Sequence, residues 1–170
     1  KAVPVNSRRH KDWSVKKSND YAFARDVNSV PLMAVEFSNA AAEYVIVFAG
    51  KDEVMIPVVL LGLRKAENLY LTKGHGWDAK YIPAFVRRYP FVFSSSPNGG
   101  SNTLTLCIDE EYAGCNQKGD GERLFDPKGE RTKYLESMLE FVKKYQEHSL
   151  RTRAFCAKLK DLNLLDPMQA

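Results

Sequence analysis

Short apolar segments separated by turn-forming residues occupy the middle of the chain. Residues 43–49 and 55–63 are rich in β-branched and other apolar side chains, which is typical of buried strands. Between them, Gly50-Lys51-Asp52-Glu53 has the composition of a hairpin turn. Residues 68–72 (N-L-Y-L-T) predict a third strand. This region therefore predicts antiparallel strands joined by tight turns.

A second hairpin is predicted further along the chain. Residues 91–93 and 102–109 (N-T-L-T-L-C-I-D) have the side chains of strands. The dipeptide Asn98-Gly99 lies between them and is favoured in two-residue hairpin loops.

Apolar residues recur at helical spacing in the last forty residues. In 131–147 they are Leu135, Met138, Leu139, Val142 and Tyr145, and in 150–164 they include Phe155, Leu159 and Leu162. This pattern predicts a pair of C-terminal helices within residues 131–165. Strands first and helices last indicate an α+β fold with a mainly antiparallel sheet.

The segment from residue 77 to residue 93 combines aromatic residues with an arginine pair. Four aromatic residues occur at every fourth position: Trp77, Tyr81, Phe85 and Tyr89. They predict one face of a short helix near residues 79–89, with Arg87 and Arg88 in its last turn and Pro90 as its stop. Aromatic and arginine side chains dominate interface energetics, so these six residues are a candidate binding surface for a protein, a peptide or a small anionic ligand. In the alternative interpretation, the aromatic residues are core and only the two arginines reach solvent or buried carboxylates.

The chain of 170 residues is 44% hydrophobic, enough to form one core, so a single domain over 1–170 is predicted. Its predicted parts are an N-terminal arm packed on the body (1–30), a hairpin sheet with the aromatic helix (31–109), an acidic loop (110–130) and the helical pair (131–165). The longest apolar run, 55–63, is too short to span a bilayer, so no transmembrane segment is predicted. Cytoplasmic residence is favoured; a surface or periplasmic location stays open because the chain begins at Lys1.

Charge is unevenly distributed along the sequence. Residues 1–25 carry seven basic and two acidic side chains, and residues 141–160 carry six basic and one acidic. Residues 109–126 carry six acidic and two basic side chains. These patches are complementary within one molecule, between copies in a homo-oligomer, or toward a partner. A nucleic-acid partner is not predicted, because RNA-binding and helix-turn-helix signatures are absent and the acidic segment repels a polyanion.

The acidic loop is the candidate location for an enzymatic site. Its candidate residues are Asp109, Glu110, Glu111 and Cys115. A nucleophilic thiol needs a cationic or histidine neighbour, whereas these carboxylates raise its pKa. The loop does not have the spacing of an EF-hand, and the cysteines lack zinc-site spacing, so no metal site is predicted.

Motifs for catalysis are also absent. The sequence lacks G-x-S-x-G, the P-loop, G-x-G-x-x-G and H-E-x-x-H. His10, in the basic arm, and His148, at a helix end, are expected at the surface. No catalytic residue and no cofactor is predicted.

Several blocks of the chain resemble the SapC family of bacterial proteins. They are D-W-S-V, V-P-L-M-A-V-E-F, A-A-A-E-Y-V-I-V-F, Y-I-P-A-F-V-R-R-Y-P-F-V-F, L-C-I-D-E-E and G-E-R-L-F-D. The resemblance covers nearly the whole chain. It also implies that family members continue some sixty residues further, so that the C-terminal part of the family domain is expected to be missing here.

The resemblance implies a function only in outline. The family name derives from an association with a bacterial surface layer, which implies a structural role there. The resemblance also implies an accessory role in the uptake or modification of nutrients, with outer-membrane receptors and halogenase-like proteins as partners. A peptide-transporter permease of the same name needs several apolar spans, which this chain lacks. The leading hypothesis is a non-catalytic binding protein, and the alternatives are a surface-layer protein and an enzyme that uses Cys115.

Overall fold

The computed structural model describes residues 2–50, 55–95 and 104–167. Two compact units make up the chain, and each is built from two separate segments. The first unit contains residues 1–19 and 88–144, and the second contains residues 20–87 and 145–170. Mixed helices and antiparallel sheets confirm the predicted α+β class.

The strands and helices are numbered in chain order within the described residues. The strands are β1 (Ala2–Pro4), β2 (Ser14–Val15), β3 (Ser29–Pro31), β4 (Ile46–Ala49), β5 (Ile56–Leu60), β6 (Phe91–Ser95), β7 (Leu104–Asp109), β8 (Cys115–Asn116) and β9 (Glu122–Arg123). The α-helices are α1 (Ser7–His10), α2 (Phe37–Ala40), α3 (Ala84–Arg87) and α4 (Lys133–Asp161).

Two three-stranded antiparallel sheets belong to the first unit. One has the order β1-β7-β6, in which Ala2 pairs with Asp109 and Phe91 pairs with Ile108. The other has the order β8-β2-β9 and lies partly within the predicted acidic loop. The buried core residues of this unit are Val15, Phe91, Ile108, Leu124, Phe125, Leu135 and Val142.

The second unit has one three-stranded sheet, with the order β3-β5-β4. Its strands β4 and β5 are the first predicted hairpin, and they pair antiparallel from Ile46↔Val59 to Ala49↔Ile56. The buried core residues of this unit are Val30, Leu32, Ala40, Tyr44, Val59, Leu61 and Val86. The predicted turn at residues 51–53 and the Asn98-Gly99 turn of the second hairpin lie outside the described residues.

The aromatic segment is helical only at its end. Where the sequence predicted a helix near residues 79–89, α3 covers four residues, Ala84–Arg87. The amides of Lys80 and Tyr81 donate to the carboxylate of Glu43, outside any helix. Pro83 disfavours helical geometry at the residue before it, so the helix begins after this proline.

Residues 68–72, predicted as a third strand, form a turn instead. The only extended pairing described there is an isolated bridge between Leu71 and Trp77. The amide of Thr72 donates to the carbonyl of Gly76 across this tight turn. His75 takes a positive φ of 62° inside it. Before the bridge, the Tyr70 amide donates to the side chain of Asn68 at 3.0 Å and not across to another strand, so the pairing does not extend into a ladder.

One continuous helix, α4, replaces the two C-terminal helices that the sequence predicted. The junction around residues 148–150 contains neither proline nor glycine, so nothing in the backbone ends the helix there. The helix ends at Asp161. Just beyond it, Asn163 has a φ of 51°, and the Leu164 amide donates to the Leu159 carbonyl. This is the left-handed capping geometry that asparagine tolerates.

Candidate functional site

A buried carboxylate organises the aromatic segment of the second unit. Glu36 is 4% exposed and accepts three hydrogen bonds, from the Met33 amide at 2.9 Å, the Tyr81 hydroxyl at 2.6 Å and the Ala84 amide at 2.8 Å. Burial, followed by the bond to Glu36, raises the pKa of Tyr81 to about 12. Glu36 therefore fixes both the start of α3 and the orientation of the Tyr81 ring.

A second carboxylate supports the same segment from the chain that precedes β4. Glu43 accepts the amides of Lys80 and Tyr81, each at 2.9 Å, and these backbone bonds lower its pKa. The Tyr44 hydroxyl donates to the Tyr81 carbonyl at 2.5 Å and accepts the indole N–H of Trp77 at 2.6 Å. Both ends of the aromatic segment are thereby tied to residues 36–44.

Three of the predicted surface aromatics lie against the core of the second unit. Trp77, Tyr81 and Phe85 are partly buried and pack on its core cluster. Each ring therefore contributes to packing, and only part of its surface is exposed to solvent. This matches the alternative interpretation of the aromatic stripe more closely than a fully exposed aromatic face.

Arg87 is exposed, and its guanidinium group is held in one position. Its Nε donates to the Ile82 carbonyl at 2.9 Å, and its Cζ lies 5.7 Å from the centroid of the Tyr81 ring. A terminal nitrogen is 3.5 Å from the Tyr81 hydroxyl. An arginine fixed over an aromatic ring loses little conformational entropy when it binds a planar anion.

The other two residues of the predicted stripe belong to the first unit. Arg88 is partly buried, and Tyr89 donates its hydroxyl to Asp109 Oδ2 at 3.1 Å. The Tyr89 ring meets Tyr112 edge-on, with centroids 5.3 Å apart. Burial and then Asp109 raise the pKa of Tyr89 to about 12. The structure thus joins Tyr89 to a residue of the predicted acidic site.

The geometry around Cys115 opposes a nucleophilic role. Its Sγ donates to the backbone carbonyl of Asp109 at 3.6 Å. Burial, followed by the charges of Asp109 and Glu110, raises the pKa of the thiol to about 11. At neutral pH the thiol is protonated, and the protonated form is a poor nucleophile.

Glu110 belongs to an ion-pair cluster with the N-terminal segment. Arg9 donates to both its carboxylate oxygens at 2.6 Å, and His10 Nε2 lies 3.1 Å from Oε1. The pKa of Glu110 is lowered, and the hydrogen bond from Arg9 contributes most to this shift. Glu111, in contrast, is exposed. Among the four acidic-loop candidates, Asp109 contacts Cys115 through the bond described above and also accepts the Glu111 amide on its Oδ1 at 3.3 Å.

The expectation of a surface position for His10 is wrong. Its side chain is 0% exposed, and its ring meets Trp13 edge-on at 5.4 Å. The partner, Glu110, lies a hundred positions away in the sequence. Local sequence patterns do not predict a pairing between residues this far apart.

Opposite charges of the N-terminal arm and the acidic loop meet within the first unit. The ion pairs are Lys16–Asp120 at 2.9 Å, Lys17–Glu122 at 3.5 Å and Asp12–Arg123 at 3.2 Å. Each is exposed, so each contributes little to stability by itself. Together they offset part of the charge of both sequence patches.

Neither a metal centre nor a membrane span is found in the described parts of the chain. In residues 2–50, 55–95 and 104–167, no three histidine, cysteine, aspartate or glutamate side chains are grouped so that they would hold a metal ion. None of the helices described there is both long enough and apolar enough to cross a bilayer.

Comparison with known proteins assigns the chain to a family. The model of the SapC family matches residues 5–170, nearly the whole sequence. No curated protein and no solved structure matches the chain. On the strength of the family match, the chain belongs to the SapC family.

Proposed function

We propose that the chain is a non-catalytic binding protein, and that its partner is a protein or peptide that presents a carboxylate to Arg87. The observation that carries this proposal is the exposed guanidinium group, held by the Ile82 carbonyl and the Tyr81 ring. Arginine binds a carboxylate through two parallel hydrogen bonds when its planar group is correctly oriented. Binding at Arg87 then requires little rearrangement of the protein.

The buried network beneath Arg87 supports the proposal. Tyr81 is oriented by Glu36, and its backbone is held by Glu43 and Tyr44. A binding residue whose supporting side chains are fixed in this way is preorganised. Preorganisation matters more for affinity than the number of contacts, because the entropy of ordering does not have to be supplied on binding.

The protonated state of Cys115 favours a binding role over the enzymatic alternative. The resemblance to the SapC family adds an accessory role in nutrient uptake or modification, beside outer-membrane receptors or halogenase-like proteins. A surface-layer role remains a prediction from the family name. Ordered self-assembly of the full-length protein would favour that role.

The test is affinity capture by the full chain, followed by titration of the captured partner. Arg87→Ala should weaken binding at least about tenfold, because an anchoring arginine at an interface contributes about 2 kcal/mol or more. Arg87→Lys should recover only part of the affinity, since lysine keeps the charge but lacks the planar fork.

The matched control is Arg151→Ala, which removes an exposed arginine from α4 in the same unit. Its affinity for the partner should equal that of the wild type. Equal binding by the wild type and Arg87→Ala, with both proteins folded, would reject Arg87 as the site. Loss of only a small anionic molecule would reassign the site from protein to small-ligand binding.

A further inference from the structure

The second unit contains a cavity of about 170 Å³ beside helix α4. We propose that this cavity binds a short aliphatic carboxylate, with its hydrocarbon chain inside and its carboxylate at Arg153. The site is separate from Arg87 and goes beyond the function proposed above. Residues of the second unit form all of its lining.

One wall of the cavity is apolar and rigid. It is formed by residues 31–33 and 56–57, which include Leu32 and Ile56. The amide of Leu32 donates to the carbonyl of Pro57 at 2.9 Å, which joins the two segments of the wall. The prolines at positions 31 and 57 have no N–H group, so this wall is poor in hydrogen-bond donors. Such a surface favours a hydrocarbon over water.

The opposite wall is a polar edge of α4. Tyr145, Ser149 and Arg153 are spaced four residues apart, so they lie along one side of the helix and line the cavity. Thr152 accepts the Ala34 amide at 2.9 Å and donates to the His148 carbonyl at 2.7 Å. The bond from Ala34 ties the helix to the segment next to the apolar wall and so helps to set the separation of the walls, whereas the bond to His148 lies within the helix.

The positive charge at the polar end of the cavity favours an anion there. Arg153 is exposed, and it takes part in none of the ion pairs found among the described residues. Residues 150–160 also carry Arg151, Lys158 and Lys160 and no acidic side chain. A guanidinium group at the mouth of an apolar cavity matches a carboxylate attached to a hydrocarbon chain.

The volume limits the length of that chain. At about 30 Å³ for each water-sized group, 170 Å³ holds about six such groups. A ligand whose carboxylate stays at Arg153 would therefore place a chain of about four or five carbons inside. Pentanoate fits this description, whereas a long fatty acid does not.

The experiment is a titration of the full chain with pentanoate, followed by calorimetry or by chemical shifts. We expect saturable binding at millimolar concentrations, weakened about tenfold or more by Arg153→Ala. Arg151→Ala removes a neighbouring charge outside the cavity lining and should bind as the wild type does. Ser149→Phe fills the cavity and should abolish binding, with circular dichroism as the check on folding.

Four results would overturn the proposal. The first is the absence of saturable pentanoate binding by the folded wild type, and the second is equal weakening by Arg153→Ala and Arg151→Ala. The third is pentan-1-ol binding as tightly as pentanoate, which would remove the role of the carboxylate. The fourth is decanoate binding as tightly as pentanoate, which would remove the limit set by the volume.

Discussion

Glu36 is a residue whose importance comes from the three donors that surround it. Replacing it with alanine leaves two backbone amides and the Tyr81 hydroxyl without their acceptor. A buried donor without an acceptor costs about 1–3 kcal/mol, so Glu36→Ala should lower the free energy of unfolding by about 3 kcal/mol or more. Urea unfolding followed by Trp77 fluorescence measures this change.

Glu67→Ala is the control for that prediction. The Glu67 carboxylate accepts the amides of Leu63 and Arg64, both at 3.1 Å, in an exposed loop where water replaces it. Its removal should change stability much less. Equal effects of the two substitutions would contradict the assigned role of Glu36.

The thiol of Cys115 gives a prediction about pH. With its pKa raised from 9.0 to about 11, the folded thiol keeps its proton to a higher pH than the unfolded thiol does. Its contribution to stability is therefore fully present below pH 9 and is lost as the pH rises through about 11. Alkylation of Cys115, followed by peptide mass spectrometry, should be slow at pH 8 and accelerate above pH 10. The same peptide in urea should react readily near pH 9; rapid alkylation of the folded protein at neutral pH would contradict the pKa.

Among the elements, helix α4 gives the clearest test of continuity. Glu147 is exposed and lies just before the junction of the two predicted helices. In one continuous helix, Glu147→Pro removes a hydrogen bond and clashes with the preceding turn, which costs about 3 kcal/mol or more. Glu147→Ala keeps the helix and should be close to neutral. Thermal unfolding distinguishes them, and equal melting temperatures would favour two separate helices.

The elements that the sequence predicted correctly are those with a strong local signal. Strands β4, β5, β6 and β7 follow runs of β-branched and apolar residues. Strands β2, β8 and β9 have two residues each, and their pairing joins segments about a hundred positions apart. Strands this short do not show a detectable alternation of apolar and polar residues, and tertiary contacts determine where they form.

The candidate site shows the same limit. Arg87 was identified from its aromatic neighbours, but the helix around it is short because Pro83 disfavours helical geometry at the residue before it, so α3 begins at Ala84. Glu36 offered a signal, since it is the single charged residue in the apolar run from Val30 to Phe37. A lone acidic residue in such a run marks a carboxylate that needs buried donors.

At the scale of the whole molecule, the two tryptophans report on different units. Trp13 packs on the core of the first unit, and Trp77 packs on the core of the second. The measurement uses variants that keep one tryptophan each. In the variant that keeps Trp13, Leu135→Ala should lower the free energy of unfolding by about 2–5 kcal/mol, because it opens a cavity in that core. The free energy of unfolding reported by Trp77 should change less.

Leu32→Ala should have the reverse effect, since Leu32 is buried in the core of the second unit. Comparing the two substitutions by fluorescence cancels general effects on the chain. Equal shifts of both transitions in both variants would mean that the units unfold as one cooperative structure.

The antiparallel pairing of β1 with β7 has a consequence for synthesis. Ala2 pairs with Asp109, so these two strands are synthesised about a hundred residues apart. At roughly 5–20 residues per second, the N-terminal strand waits about 5–20 s for its partner. Throughout that interval its backbone is an unpaired edge, open to chaperones and to neighbouring nascent chains.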